Sequence, residues 1–316
     1  MKKWLWVIPT AVIFLVAVSL IWVLATDWTT TVGICYREPS NAQNRQQRQQ
    51  LEDALTQLGY EVITVDCDQD QAKQLQQIPE LIDRTCELLI IEPVMVSATE
   101  ELMNALQTAA VPAILIDRAP DTDLNKAANI IYVGHDITLP GAMQVQMIHT
   151  LPDRGDLNGD GVISCLILQG PQDDMDALTY AETEKKALKL SPLSVDILDV
   201  SYGEWTKESG KNRCAASLRS YGKDIEVIFC GNSALTLGAV DAIAEVGRQA
   251  GRDIYLVGIG GEQALLQAVQ EGSVTATVQA DQSKKVQTIV DAVQKMMAGE
   301  PVEGYSYLEY LTVTAE

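Results

Sequence analysis

Histidine is nearly missing: His135 and His149 are the only two in 316 residues. A histidine-rich zinc site or an imidazole proton relay has almost nothing to draw on. Positive charge is scarce as well, with 23 Lys and Arg against 43 Asp and Glu and a formal net charge of -20. A surface of that sign repels a phosphate backbone, which speaks against direct nucleic-acid binding. Short catalytic signatures are incomplete. Gly231-Asn232-Ser233 wants the second glycine of GxSxG, and Gly258-Ile259-Gly260 is followed by Gln263 where GxGxxG requires glycine. No carboxylate pair suited to glycoside hydrolysis is fixed by the sequence, and no helix-turn-helix header is present. The chain reads as neither an enzyme nor a transcription regulator.

Apolar residues are not scarce. At 47% hydrophobic and 21% charged, the chain can fill one large or two medium cores without disulfide staples. After Lys2 and Lys3, the segment Trp4 to Ala25 carries no charge, and about 20 apolar residues cross a bilayer core as a helix. Trp4, Trp6, Trp22 and Trp28 stand at its margins, where indoles favour the interface, and the lysines predict a cytoplasmic N-terminus. Residues 1–28 are therefore expected to be a signal anchor, making the protein single-pass in the cell membrane with its soluble part in the periplasm or at the cell surface. Cleavage after Val23-Leu24-Ala25 is the competing reading. No cysteine follows where a lipoprotein signal needs one.

Beyond Thr29, short β-rich apolar runs alternate with amphipathic helical stretches, the pattern of a parallel sheet with helices on both faces. Thr31 to Tyr36, Glu61 to Val65, Leu88 to Ile91, Ala113 to Ile116 and Ile130 to Val133 form one series. Ile163 to Leu168, Val195 to Val200, Glu226 to Cys230, Ile254 to Val257 and Val274 to Val278 form another. Between them lies the turn-rich Pro152 to Gly161. That many strands suit two doubly wound α/β lobes better than a single sheet. The expected division is 29–136 with about 281–302 in one lobe, and 137–280 with about 303–316 in the other.

Ligands of such sheets bind beyond the carboxyl ends of the strands. The polar residues there are Arg37 and Glu38, Glu92, Asp117 and Arg118, the loop Gln172 to Asp176, Asn232, Gln279 and Asp281, and Asn41 lies in the loop after the first run. Planar carboxylates, amides and guanidinium groups can each serve two neighbouring hydroxyls. Asn41, Asp117, Arg118, Asp176, Asn232 and Asp281 are the ligand-binding candidates, although Asp176, Asn232 and Asp281 are equally good helix caps or turn formers. Trp205 joins them: it sits in the polar stretch SYGEWTKES, where an indole could cover the CH face of a sugar ring or simply staple a helix start.

Asp156-Leu157-Asn158-Gly159-Asp160-Gly161-Val162-Ile163-Ser164 reproduces the first nine positions of an EF-hand calcium loop. Oxygen donors come from Asp156, Asn158, Asp160, the Val162 carbonyl and Ser164. Position twelve is Ile167, so a carboxylate from elsewhere must complete a Ca2+ shell; a metal-free Asx turn is the alternative.

DLNGDGVIS entering a strand, LQGPQDDMDA, the isolated Trp205 and KDIEVIFCGNSALTLGAVDAI together resemble the galactose/glucose-binding proteins of bacterial ABC sugar uptake, which are type I periplasmic binding proteins. The similarity runs over the chain beyond Thr29. It implies that Glu226 closes the calcium loop, and that Asp176, Trp205 and Asn232 contact the sugar. IDRAP, with Asp117 and Arg118, looks more like the ribose-binding relatives. Departures fall at Gly260, Tyr180, Ala280 and Asp174, and near Ala42 the tryptophan's aromatic partner has no match, with Tyr36 a possible replacement. Calcium and fold carry over better than glucose or galactose as ligand.

Of six cysteines, Cys35, Cys165 and Cys230 lie in apolar runs and read as buried thiols, leaving Cys67 and Cys86 as the pair to check. Two functions fit: a monomeric binding protein delivering a sugar to an ABC permease, or a membrane-anchored sensor reporting sugar occupancy to a histidine kinase.

Overall fold

The computed structural model describes residues 29–40, 44–96, 99–120, 123–124 and 129–315. The segment Trp4 to Ala25 and the candidate Asn41 lie outside them. Among the described residues no helix is long and apolar enough to cross a membrane.

The strands are β1 (Thr31–Tyr36), β2 (Glu61–Asp66), β3 (Cys86–Ile91), β4 (Ala113–Ile116), β5 (Ile130–His135), β6 (Val162–Gln169), β7 (Ser194–Tyr202), β8 (Val227–Cys230), β9 (Tyr255–Ile259), β10 (Ala276–Ala280), β11 (Tyr305–Leu308) and β12 (Tyr310–Thr314). The helices are α1 (Arg45–Gln57), α2 (Gln71–Asp83), α3 (Thr99–Ala109), α4 (Pro140–His149), α5 (Met175–Lys189), α6 (Lys207–Tyr221), α7 (Ser233–Glu245), α8 (Gln263–Gln270) and α9 (Lys285–Met297). They build two sheets, ordered β11-β5-β4-β3-β1-β2 and β12-β10-β9-β8-β6-β7. β1 pairs in parallel with β2 and β3, and β6 in parallel with β7 and β8, while β12 runs antiparallel to β10.

Burial on both faces explains the unbroken apolar runs. In the second sheet Leu166, Leu168, Ile228, Cys230 and Leu256 pack on one side with Leu235 and Val269. Their strand neighbours Cys165, Ile167, Val227, Phe229 and Val257 pack on the other with Val145, Ile148 and Leu188. This two-residue alternation is what the pleat imposes. Helix starts are fixed locally. Asp174 accepts the amides of Asp176 and Ala177 at α5, Thr206 that of Ser209 at α6, and Asn232 that of Leu235 at α7. Pro140 occupies the first turn of α4, where its missing N–H costs nothing.

The chain divides into unit 1, Met1–Tyr132 with Ile289–Gly304, and unit 2, Val133–Thr288 with Tyr305–Glu316. The division cuts β5 after Tyr132 and α9 after Thr288, against the sequence expectation of 136 and about 280. Residues after β10 stay with unit 2 because the Asp281 amide donates to the Glu309 carbonyl (2.9 Å) and Lys284 pairs with Glu309 (3.3 Å). The turn-rich segment Pro152 to Gly161 lies wholly within unit 2, between α4 and β6. β11 and β12 are strands that the run-by-run reading passed over.

Candidate functional site

In unit 2 the strand ends gather around Trp205. Its indole lies flat over two glycines: a Cβ on Gly170, just after β6, would fall 2.0 Å from its Cε2, and one on Gly231, just after β8, 3.0 Å from its Cζ3. Only a residue without a side chain lets the ring approach the sheet this closely. The Trp205 Nε1–H donates to Asp174 Oδ2 (3.3 Å), and the Asn232 Nδ2–H donates to the Trp205 carbonyl (3.5 Å). Half-buried, the ring also packs against the core of Leu166, Leu168 and Leu235. As the residue before the Thr206 cap it stands where a helix staple would, but the fourth residue of α6 is Gly210, so its apolar contact is with the sheet.

The structure brings Trp205 and Asn232 together. Asp176 is exposed in the first turn of α5, and the carboxylate at the indole is that of Asp174, which also caps the helix. Asp174 was named only within the loop Gln172 to Asp176 and as a departure, not as a ligand candidate, because a cap and an indole partner look alike in one dimension. Asn232 acts as a cap too, its Oδ1 accepting the Leu235 amide at 2.8 Å. Asp281 follows β10 in an Asx turn, accepting the backbone N–H and hydroxyl of Ser283 at 3.0 and 2.5 Å. Those bonds hold its carboxyl below the usual carboxylate range.

Under the indole, Gln169 closes β6. Its Nε2 donates to both oxygens of Glu184 (3.1 and 3.2 Å), and its Oε1 lies where a Cβ on Gly231 would be, 2.0 Å away. Glu184 is fully buried, and loss of hydration pushes its carboxyl up to about 8. Neither residue stood out in the sequence.

In unit 1 Asp117 follows β4 with φ +64, and the Arg118 amide bonds back to the Ile116 carbonyl (2.7 Å), a tight three-residue turn. The Tyr132 hydroxyl donates to the Asp117 carbonyl (3.3 Å), and Arg118 Nη1 to the Val94 carbonyl (3.2 Å). Arg37 pairs with Glu38 and Glu92 at 3.6 and 3.5 Å. Tyr36 belongs to the same unit. It is buried with Arg48 stacked 3.8 Å over its ring, and its hydroxyl faces Glu52.

The Asp156 loop is held by its own carboxylates. Asp156 accepts the amides of Gly159, Asp160 and Gly161, Asn158 Oδ1 that of Asp160, and Asp160 Oδ1 that of Val162. Glu226 reaches the loop. Only 2% exposed, it accepts the Asn158 amide at 2.9 Å and the Ser164 amide at 3.0 Å. The donors are all hard oxygens, as Ca2+ requires, and Glu226 stands where the twelfth position of the loop has no carboxylate to give. Among the described residues, no three acidic, cysteine or histidine side chains are gathered as a metal-holding group. All six cysteines are free and buried, and the sulfur near Cys67 is that of Cys35, at 3.1 Å, rather than that of Cys86.

The chain is 24% identical over 216 residues to the galactofuranose-binding protein YtfQ of Escherichia coli (strain K12), covering 68% of this chain and 65% of that one's own length. It is 27% identical over 251 residues to the ribose import binding protein RbsB of Haemophilus influenzae, 78% of each chain. In fold it matches the periplasmic binding protein component of the arabinose ABC transporter from Shewanella sp. ANA-3, bound to α- and β-L-arabinofuranose, with a TM-score of 0.72 at 22% identity, covering 90% and 92%. These relatives are named as binding proteins, and they do not single out galactose or glucose. The family model for the periplasmic binding protein domain matches residues 32–301, so the chain belongs to that family, with the type I fold of two largely parallel-sheet lobes.

Proposed function

We propose that this chain is an extracytoplasmic solute-binding protein that closes its two units on a monosaccharide and presents it to an ABC transporter. It is a binding protein and not an enzyme. The observation that carries the sugar reading is Trp205, laid on Gly170 and Gly231 at the strand ends with Asp174 and Asn232 at its margin. A flat, half-wet indole edged by planar polar groups suits a ring with one CH face and several hydroxyls. The guanidinium and carboxylate of Arg118 and Asp117 would serve hydroxyls from the other unit, and closure would remove ring and indole from water. The names of the relatives support the class of ligand; which sugar it is, galactose or glucose included, belongs to the proposal.

A thermal-shift screen of pentoses, hexoses and their derivatives tests this. At least one sugar is expected to raise the unfolding midpoint, and Trp205→Ala is expected to weaken it at least tenfold, about 1.4 kcal/mol. No shift with any sugar would move the ligand to another chemical class.

The uncharged Trp4 to Ala25 favours a second reading, a retained anchor carrying a sugar sensor that signals to a histidine kinase. The native protein's mass separates the two: a retained N-terminus supports the anchor, and a mature start near Thr26 removes it. A Ca2+ ion in the Asp156 loop, closed by Glu226, is also proposed; its bound form would brace β6 and β8 behind the strand ends.

A further inference from the structure

Outside the sugar site, unit 1 holds two cysteines whose sulfur atoms are in contact. Cys35, near the end of β1, and Cys67, immediately after β2, are 32 residues apart in sequence, both with no exposed surface, and their Sγ atoms are 3.1 Å apart. The sheet sets this up. β1 and β2 pair in parallel with Cys35 opposite Val65, and Cys67 follows two residues later on the same face, its amide donating to the Tyr36 carbonyl (2.9 Å). Asp68 and Gln69, with φ of 53 and 60, then turn the chain away.

We propose that Cys35 and Cys67 form an intramolecular disulfide that ties β1 to the end of β2. A bond needs the sulfurs about 1 Å closer, which small side-chain rotations supply. The surroundings favour the chemistry. Gln74 of α2 points its Nε2 at both sulfurs (3.8 and 3.7 Å) and is fixed by the Glu92 carbonyl and the Val94 amide, while the Gln77 Oε1 accepts from the Cys67 thiol (3.2 Å). Either sulfur can attack first, and the steps are the same with Cys67 leading. Its thiolate attacks a disulfide donor such as oxidised glutathione, releasing one reduced thiol. Cys35 then attacks the mixed disulfide at the Cys67 sulfur, releasing the second. Two protein thiols are oxidised, one donor disulfide is reduced, and the two protons leave on the released thiols. Because both sulfurs are buried in the folded state, the exchange belongs to folding, before α2 covers them.

The test is to refold the reduced, denatured full-length chain in a glutathione redox buffer, then titrate thiols under denaturing conditions and map linked peptides. The expected product is about 2 Da lighter, the mass of the two hydrogens lost on closing one disulfide, and has four titratable thiols instead of the six in the sequence. Its linked peptide should join Cys35 to Cys67, unchanged in Cys86→Ser. Adding a reductant should lower the thermal midpoint by about 5 °C or more, and Cys67→Ala should lose both the cross-link and the reductant response. Six titratable thiols after refolding, or a link to Cys86 in place of Cys35, would overturn the proposal.

Discussion

Glu184→Gln is expected to stabilise unit 2 by about 3–4 kcal/mol at pH 7, rising toward about 5 kcal/mol above pH 8, and to change little near pH 4.5. In the folded chain the carboxyl keeps its proton up to about 8, against an ordinary value of 4.5, because it is fully buried. Lys185, next along the helix, and the Gln169 amide both favour the charged form but do not outweigh lost hydration. A group whose folded pKa is raised holds its proton where the unfolded chain has given it up. Its contribution is therefore complete below about pH 4.5 and is lost as the pH rises through 8. Cys165, on the adjoining strand, feels the same carboxyl, but its own thiol is pushed up to about 12, beyond the window. Glutamine keeps the shape and one acceptor oxygen for the Gln169 amide, without the charge. Denaturant unfolding at pH 5, 7 and 9 decides the matter: wild type should lose stability across that range while the variant stays flat, and parallel curves would refute the protonated carboxyl.

That carboxyl is connected to the site. Glu184 holds Gln169, the Gln169 oxygen lies against Gly231, and Gly231 carries the Trp205 ring. Ionising Glu184 strengthens its bonds to Gln169 while charging a dry interior, so high pH should disturb the floor under the indole before it disturbs distant parts of unit 2.

None of this was legible in ALTYAETEKKALK, which reads as a solvated helix, because burial of one face depends on a partner helix and sheet that the local pattern does not name. Legibility elsewhere followed physical scale. The runs buried on both faces, such as TVGICY and VISCLILQ, announced their strands within a residue or two. YSYL and YLTVT did not, since short strands with exposed positions lack an apolar run. The rule that ligands lie beyond strand ends selected Asn232 and Asp117 correctly as strand-end residues, and the polar setting of Trp205 marked it as unusual. The two glycines beneath the indole and the Asp174 partner required the sheet, since they come from two loops, the one after β6 and the one after β8, neither of them the tryptophan's own. Glu226 came from resemblance alone; its contact with the loop joins residues 68 and 62 positions apart.

Calcium is expected to raise the unfolding midpoint of unit 2, and Glu226→Gln to abolish that response. Asp156, Asp160 and Glu226, in a chain of net charge -20, each accept backbone amides between 158 and 164, and a bound ion would have to draw their three carboxylates together. Those amides supply partial positive charge but leave oxygen lone pairs on each carboxylate, so a divalent cation can be added without breaking the turns. A cation bound by the folded loop alone stabilises by mass action, about 2.7 kcal/mol at a hundred times its dissociation constant. Glu226→Gln keeps one acceptor for the loop amides and removes the charge, so its calcium-free midpoint should fall modestly while the calcium-induced rise disappears. Glu226→Ala removes the acceptor of the Asn158 and Ser164 amides and should cost about 0.5–1.5 kcal/mol even without metal. The measurement is thermal unfolding of metal-stripped protein with calcium, with magnesium and with chelator. Superimposable curves would leave the loop as a set of Asx turns closed by Glu226, with the protein's own amides in the place of the ion.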